Sequence, residues 1–204
     1  MNAINWTVVS ALVLAVWGIR YAVLAWKREV YPNPVSFFVW AVVGVALFLT
    51  AEASEAKEVY YAALVSAVAP AIIFVIVLLR ETNRVYTLTR REKACLVFAI
   101  VGYMLWFALK DQPELAQWSL YWMIGVDVLA LWPTLEQAFK KPMSDKPGAW
   151  LVFGLGYGVT GFAISDHTVV NWALPGYMFI GSWSVAAPLV WRRINEKIPL
   201  NEWY

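Results

Sequence analysis

Charge is scarce in this chain. Asp, Glu, Lys and Arg make up 15% of its 204 residues, and 61% are hydrophobic; an ordinary soluble domain is about 25% charged and about 45–50% apolar. Water cannot be its main solvent. Histidine and cysteine are scarcer still, with one of each. Cys95 alone forms no intramolecular disulfide, and no Cys/His spacing suits a metal, so no metal or other cofactor is expected. His167, in the polar stretch Ser165–Thr168, has neither a second ligand nor a nucleophile beside it, and no paired carboxylates occur, so no enzyme is expected. A net charge of +2 gives no reason to expect a nucleic-acid partner. The opening Met-Asn-Ala-Ile-Asn lacks the basic residues of a signal peptide, and cleavage is not expected.

What the chain has is long apolar runs, at 6–26, 35–51, 59–79, 94–109, 118–138, 149–165 and 170–191. A helical span needs roughly 17–25 such residues. The reading is an all-α membrane protein with seven transmembrane helices; the second, fourth and sixth runs are at the short end. Basic residues fall on one face of this stack: Lys27 and Arg28; Arg80, Arg84, Arg90, Arg91 and Lys93; Lys140, Lys141 and Lys146; Arg192, Arg193 and Lys197. The other face has Lys57 and Lys110 amid Glu52, Glu55, Glu58, Asp111, Glu114 and Asp166. Basic loops stay in the cytoplasm, so the expected orientation is N-terminus outside and C-terminus inside, in a membrane such as the bacterial inner membrane. Trp6, Trp26, Trp106, Trp118, Trp172 and Trp191 lie near span ends, where aromatic belts form. Gly154, Gly158 and Gly161 form a small-residue stripe suited to close helix packing.

An internal repeat orders the spans. Trp26-Lys27-Arg28, Pro34-Val35-Ser36 and Trp40 to Gly44 have counterparts in Phe139-Lys140-Lys141, Pro147-Gly148 and Trp150 to Gly154; Tyr60-Tyr61 through Arg80 corresponds to Asn171-Trp172 through Arg192-Arg193 at an offset of 112. The run 94–109 intervenes, so the two three-helix copies are parallel. The chain divides into a first repeat (1–80), a cytoplasmic loop and linker helix (81–115), a second repeat (116–193) and a cytoplasmic tail (194–204). Parallel repeats are a known transporter plan, with the substrate site near the midplane between the halves.

The segment Leu131-Trp132-Pro133-Thr134-Leu135-Glu136-Gln137-Ala138-Phe139-Lys140-Lys141, continued by Ser144, Gly148 and Trp150, resembles the PQ-loop motif of the SWEET and PQ-loop transporter superfamily. The resemblance implies seven helices in a 3+1+3 plan. The chain departs from the motif, with Pro133-Thr134 in place of Pro-Gln and Arg20-Tyr21 at the equivalent place in the first copy. Sugar-carrying members place an Asn in the third helix and a Trp in the second helix of each repeat; those positions fall near Ser66 and Met178 and near Phe48 and Tyr157, so a sugar is not the expected substrate.

Asp127 lies mid-span, where an ionised carboxylate costs about 2.5–3.5 kcal/mol on insertion scales. Two readings stand: a proton-coupling or substrate-amine site with Thr134 one heptad on, and a protonated Asp bonded to a neighbouring helix as structural glue. Arg20 either snorkels to the cytoplasmic surface or, placed where Pro133 sits in the other half, pairs with Glu136 to close a gate. The functional expectation is a transporter of a small polar solute, neutral or zwitterionic, with Asp127, Phe48, Ser66, Tyr103, Tyr157 and Trp183 as cavity residues and Arg20, Pro133, Thr134 and Glu136 as gate or hinge. The alternative is a seven-helix receptor or sensor that binds without transporting. The lipid bilayer and the solute are the expected partners, and association of two copies is left open. A retinal protein is excluded, because the seventh run has no Lys for a Schiff base.

Overall fold

Helix starts in this chain are written by a few capping residues. The computed structural model describes residues 5–53, 60–80, 88–109, 112–167 and 169–204, among which it holds seven α-helices and no strand. They are α1 (Trp6–Trp26), α2 (Pro34–Ala53), α3 (Tyr60–Arg80), α4 (Arg90–Leu109), α5 (Pro113–Lys140), α6 (Pro147–Thr160) and α7 (Val169–Asn195). Pro34, Pro113 and Pro147 stand at helix starts, where the missing N–H costs nothing. Asn33 caps α2 by accepting from the backbone N–H of Val35 and Ser36. Thr89 and Glu92 form a reciprocal capping box, which starts α4 four residues ahead of the apolar run at 94.

The two largest remaining differences from the hydropathy are in α5 and α6. Helix α5 is 28 residues long and begins at Pro113, five residues ahead of its apolar run. Helix α6 is 14 residues, about 21 Å at 1.5 Å per residue, and tightens into a 3₁₀ turn over Gly161–Ala163 inside the run that extends to 165.

Helices α1, α3, α4 and α7 contain stretches long and apolar enough to cross a membrane, and α2 has a shorter apolar stretch, Pro34–Leu49. Apolar side chains point away from the protein: Leu12, Val16, Ile19 and Val23 make an outward stripe on α1, and Val97, Ile100, Met104 and Phe107 are exposed on α4. Surfaces of this kind fit a bilayer and are rare on soluble monomers.

Helix α3 packs against both α1 and α2, and α7 against both α5 and α6. Between these groups α1 packs on α6 and α2 on α5, while α4 packs on α2 and α5. The basic helix ends gather at one end of the bundle. There the Arg28 guanidinium donates to the Arg80 carbonyl (2.8 Å), Asn33 Nδ2 to Glu92 Oε1 (2.9 Å) and the Tyr31 N–H to the Ser144 carbonyl (3.0 Å).

Candidate functional site

The middle of the bundle is hollow. A cavity of ≈ 840 Å³, its mouth included, is lined by residues of α1, α2, α3, α5, α6 and α7 and by none of α4. Its wall is mostly apolar and carries eight aromatic residues, Trp17, Tyr21, Phe37, Trp40, Trp150, Phe153, Tyr157 and Tyr177. Helical spacing accounts for much of this: Trp17 and Tyr21 are four apart on α1, and Trp150, Phe153 and Tyr157 recur every three or four residues on α6.

Two polar pairs interrupt the apolar wall. On one side Asp127, 4% exposed, accepts a 2.7 Å hydrogen bond on Oδ2 from the Tyr177 hydroxyl across α5 and α7. On the other, the Ser66 hydroxyl donates to the Ala62 carbonyl (2.7 Å) and also bonds the Tyr157 hydroxyl. A serine has one proton to give, so Tyr157 is the donor in that pair, which ties α6 to α3. Nearby, Ser10 on α1 bonds Thr160 on α6 at 2.6 Å and donates to the Gly156 carbonyl at 2.9 Å.

Toward the basic end four rings pack together. Tyr21 stacks on Phe37 (centroids 5.7 Å, 16° between planes), Phe37 meets Trp40 edge-on (5.0 Å), Trp40 meets Trp150 (6.0 Å), and Trp150 meets Tyr21 (5.9 Å). Beneath them Asp145, in the turn between α5 and α6, accepts on Oδ2 from the Tyr21 hydroxyl (2.8 Å) and Trp150 Nε1 (2.9 Å), and on Oδ1 from the Lys146 N–H (2.7 Å). Arg193 binds the carbonyls of Asp145 (2.6 Å) and Pro142 (3.0 Å). Burial outweighs the three donors and pushes the Asp145 carboxyl up to about 6.

The end of the chain packs against this turn. Lys197 adopts a left-handed backbone (φ 56°) and the Ile198 N–H reaches the Arg193 carbonyl (2.9 Å), a Schellman turn that ends α7. The chain then returns to α6: the Gly148 N–H donates to the Trp203 carbonyl (3.0 Å), Lys146 Nζ holds Glu29 (2.7 Å) and the Tyr204 carbonyl (3.0 Å), and the Tyr204 ring meets Trp17 at 6.0 Å. A side chain at position 148 would collide with Tyr204.

Of the residues expected to line a cavity, Asp127, Ser66 and Tyr157 do, as does Met178. Phe48, Tyr103 and Trp183 do not. Phe48 packs on Tyr60, Tyr103 lies on α4 against Trp106, and Trp183 is 40% exposed with its Nε1 on the Leu151 carbonyl. Among the expected gate residues, Glu136 pairs with Arg91 (2.9 Å) and Lys140 (2.5 Å) instead of Arg20, which is exposed on α1. The reason is register: Glu136 faces α4, four residues from Lys140. Pro133 lies inside α5, and the buried Thr134 hydroxyl has no hydrogen-bond partner among the described residues. Neither lines the cavity.

Tyr177, Trp17, Tyr21 and Asp145 were not expected. Aromatic residues are common in every apolar run, so composition does not single these out, and Asp145 among lysines resembles a solvated loop carboxylate. Trp40 and Trp150 carried a usable signal, since each lies in an apolar run four residues before a Gly. No family model, curated protein or solved structure matches the chain.

Proposed function

We propose that this chain is a membrane carrier that moves a small solute through the central cavity by alternating access, with Asp127 as its proton-coupling group. In this reading all seven helices cross the membrane, as two parallel three-helix repeats joined by α4, the N-terminus is outside, and the basic end faces the cytoplasm. The resemblance to the SWEET and PQ-loop superfamily belongs to the same proposal.

One observation carries it. Exchanging α1 with α5, α2 with α6 and α3 with α7 turns the α1–α3 contact into α5–α7, α2–α3 into α6–α7 and α1–α6 into α5–α2, all of which are present. The exchange leaves α4 out, and α4 is also the helix that contributes nothing to the cavity wall. A cavity built on a pseudo-twofold axis between two like bundles suits rocking of one bundle against the other. Trp40 and Trp150, counterparts in the repeat, touch each other as residues near such an axis would. The ring cluster and the Tyr21–Asp145–Trp150 bonds then hold the basic end shut in this state.

Uptake into proteoliposomes, screened across amines, amino acids, vitamins and sugars with and without a pH gradient, tests the proposal. Saturable uptake that responds to the gradient, and loses that response in Asp127→Asn, is the expected result. Uptake indistinguishable from protein-free vesicles for every solute would leave the receptor reading in its place.

A further inference from the structure

The cavity wall carries one acidic side chain and, among the described residues, no Lys, Arg or His. Among the described residues its carboxylate receives one hydrogen bond, on Oδ2 from Tyr177, and the groups near it from other helices are Tyr177 on α7, Tyr157 on α6 and Cys95 on α4, while α2 adds only apolar and aromatic lining. None of them carries a positive charge. A lone carboxylate at this depth therefore takes its compensating charge either from a proton or from what enters the cavity. The same cavity is lined by Trp17, Trp40, Trp150, Phe153 and Tyr157, aromatic rings of the kind whose quadrupoles attract a cation in desolvated aromatic cages. Hydrogen-bonding groups to read a sugar are few, because the Ser66 and Tyr157 hydroxyls are spent on each other and on Ala62.

We infer that the cavity is a site for a small organic cation, an amine or quaternary ammonium compound, held by the Asp127 carboxylate and the surrounding rings. The inference rests on the carrier reading for its direction of travel but not for binding. Proton and cation compete for one carboxylate: a protonated Asp127 releases its proton to cavity water as the cation enters, and takes one up as the cation leaves. The cavity thus holds one compensating positive charge in either case, which makes the expected exchange one proton for one monovalent cation.

Calorimetric titration of the detergent-solubilised full chain with choline and benzyltrimethylammonium, alongside 3,3-dimethylbutan-1-ol, tests this. The alcohol has the shape of choline without its charge. The two cations should bind saturably at pH 8, the alcohol at least tenfold more weakly, and cation affinity should fall about tenfold per pH unit once the proton wins the carboxylate. Asp127→Asn should abolish cation binding, Asp127→Glu should retain it, and Trp40→Leu should weaken it several-fold. Equal binding of choline and the alcohol to the wild-type protein, a measurement that needs no variant, would overturn the inference, as would cation binding unchanged in Asp127→Asn. Cation binding without flux in proteoliposomes upholds this site and removes the carrier; flux of neutral solutes with no cation binding does the reverse.

Discussion

Asp145 lies in the turn between α5 and α6, yet it is 5% exposed and joins Tyr21 of α1 to Trp150 of α6. Its carboxyl sits at about 6, above the ordinary carboxylate range because of burial. The folded chain therefore holds this proton more tightly than the unfolded chain between about pH 4 and pH 6. Stability from this group is greatest at the acid end, falls as pH rises through that window, and is level above it, with a total change on the order of 3 kcal/mol. Thermal unfolding in detergent should show wild type losing ground relative to Asp145→Asn from pH 4 to pH 6; a parallel pair of curves would count against it. Asp145→Ala leaves the Trp150 and Tyr21 donors buried without their acceptor and should cost about 3–5 kcal/mol, as broken buried networks do. Asp127 was legible in the sequence because it is a charge in the middle of an apolar run, with no other charged residue within eight positions. Asp145 was not, since its burial is created by Arg193 and the returning tail, 48 and more residues away.

Among the elements, the α2–α3 contact depends on Gly44. A Cβ there would collide with the Ser66 backbone, which cannot rotate aside, so Gly44→Ala should force the helices apart and cost about 1–3 kcal/mol. Gly125 has open space around the same position, and Gly125→Ala should stay within about 0.5 kcal/mol of wild type. Denaturation of both variants in one detergent compares them directly; equal losses would refute the close-packing account. Lys197 holds a left-handed backbone that glycine adopts without penalty, so Lys197→Gly should gain about 0.5–1 kcal/mol if the tail keeps its place. The existence of the helices was readable from apolar runs, whereas their limits depended on capping chemistry. Pro113 and the Thr89–Glu92 box start α5 and α4 in polar sequence, where hydropathy is silent. Phe48 and Trp183 lie outside the cavity wall: a rough alignment for the one and mid-run position for the other do not say which way a side chain faces.

For the whole molecule, the basic ends collected on one side predict topology. Labels placed at 52–58 and 111–117 should react with an impermeant reagent added outside cells, and labels at 82–90 should not. The expected repeat rests in the sequence on Trp40, Trp150 and their basic turns; of the cavity wall the sequence pointed to Asp127, Ser66 and Tyr157, and the rest is set by helices distant in sequence closing around it. The claim that this cavity alternates between the two sides of the membrane is tested most directly by counterflow. Proteoliposomes loaded with an unlabelled solute that the chain binds, choline first, are diluted into a trace of the same solute labelled. A carrier should drive transient accumulation of label above the equilibrium level, and Asp127→Asn should abolish it. Label that only approaches equilibrium in the wild type, with or without binding, would contradict alternating access.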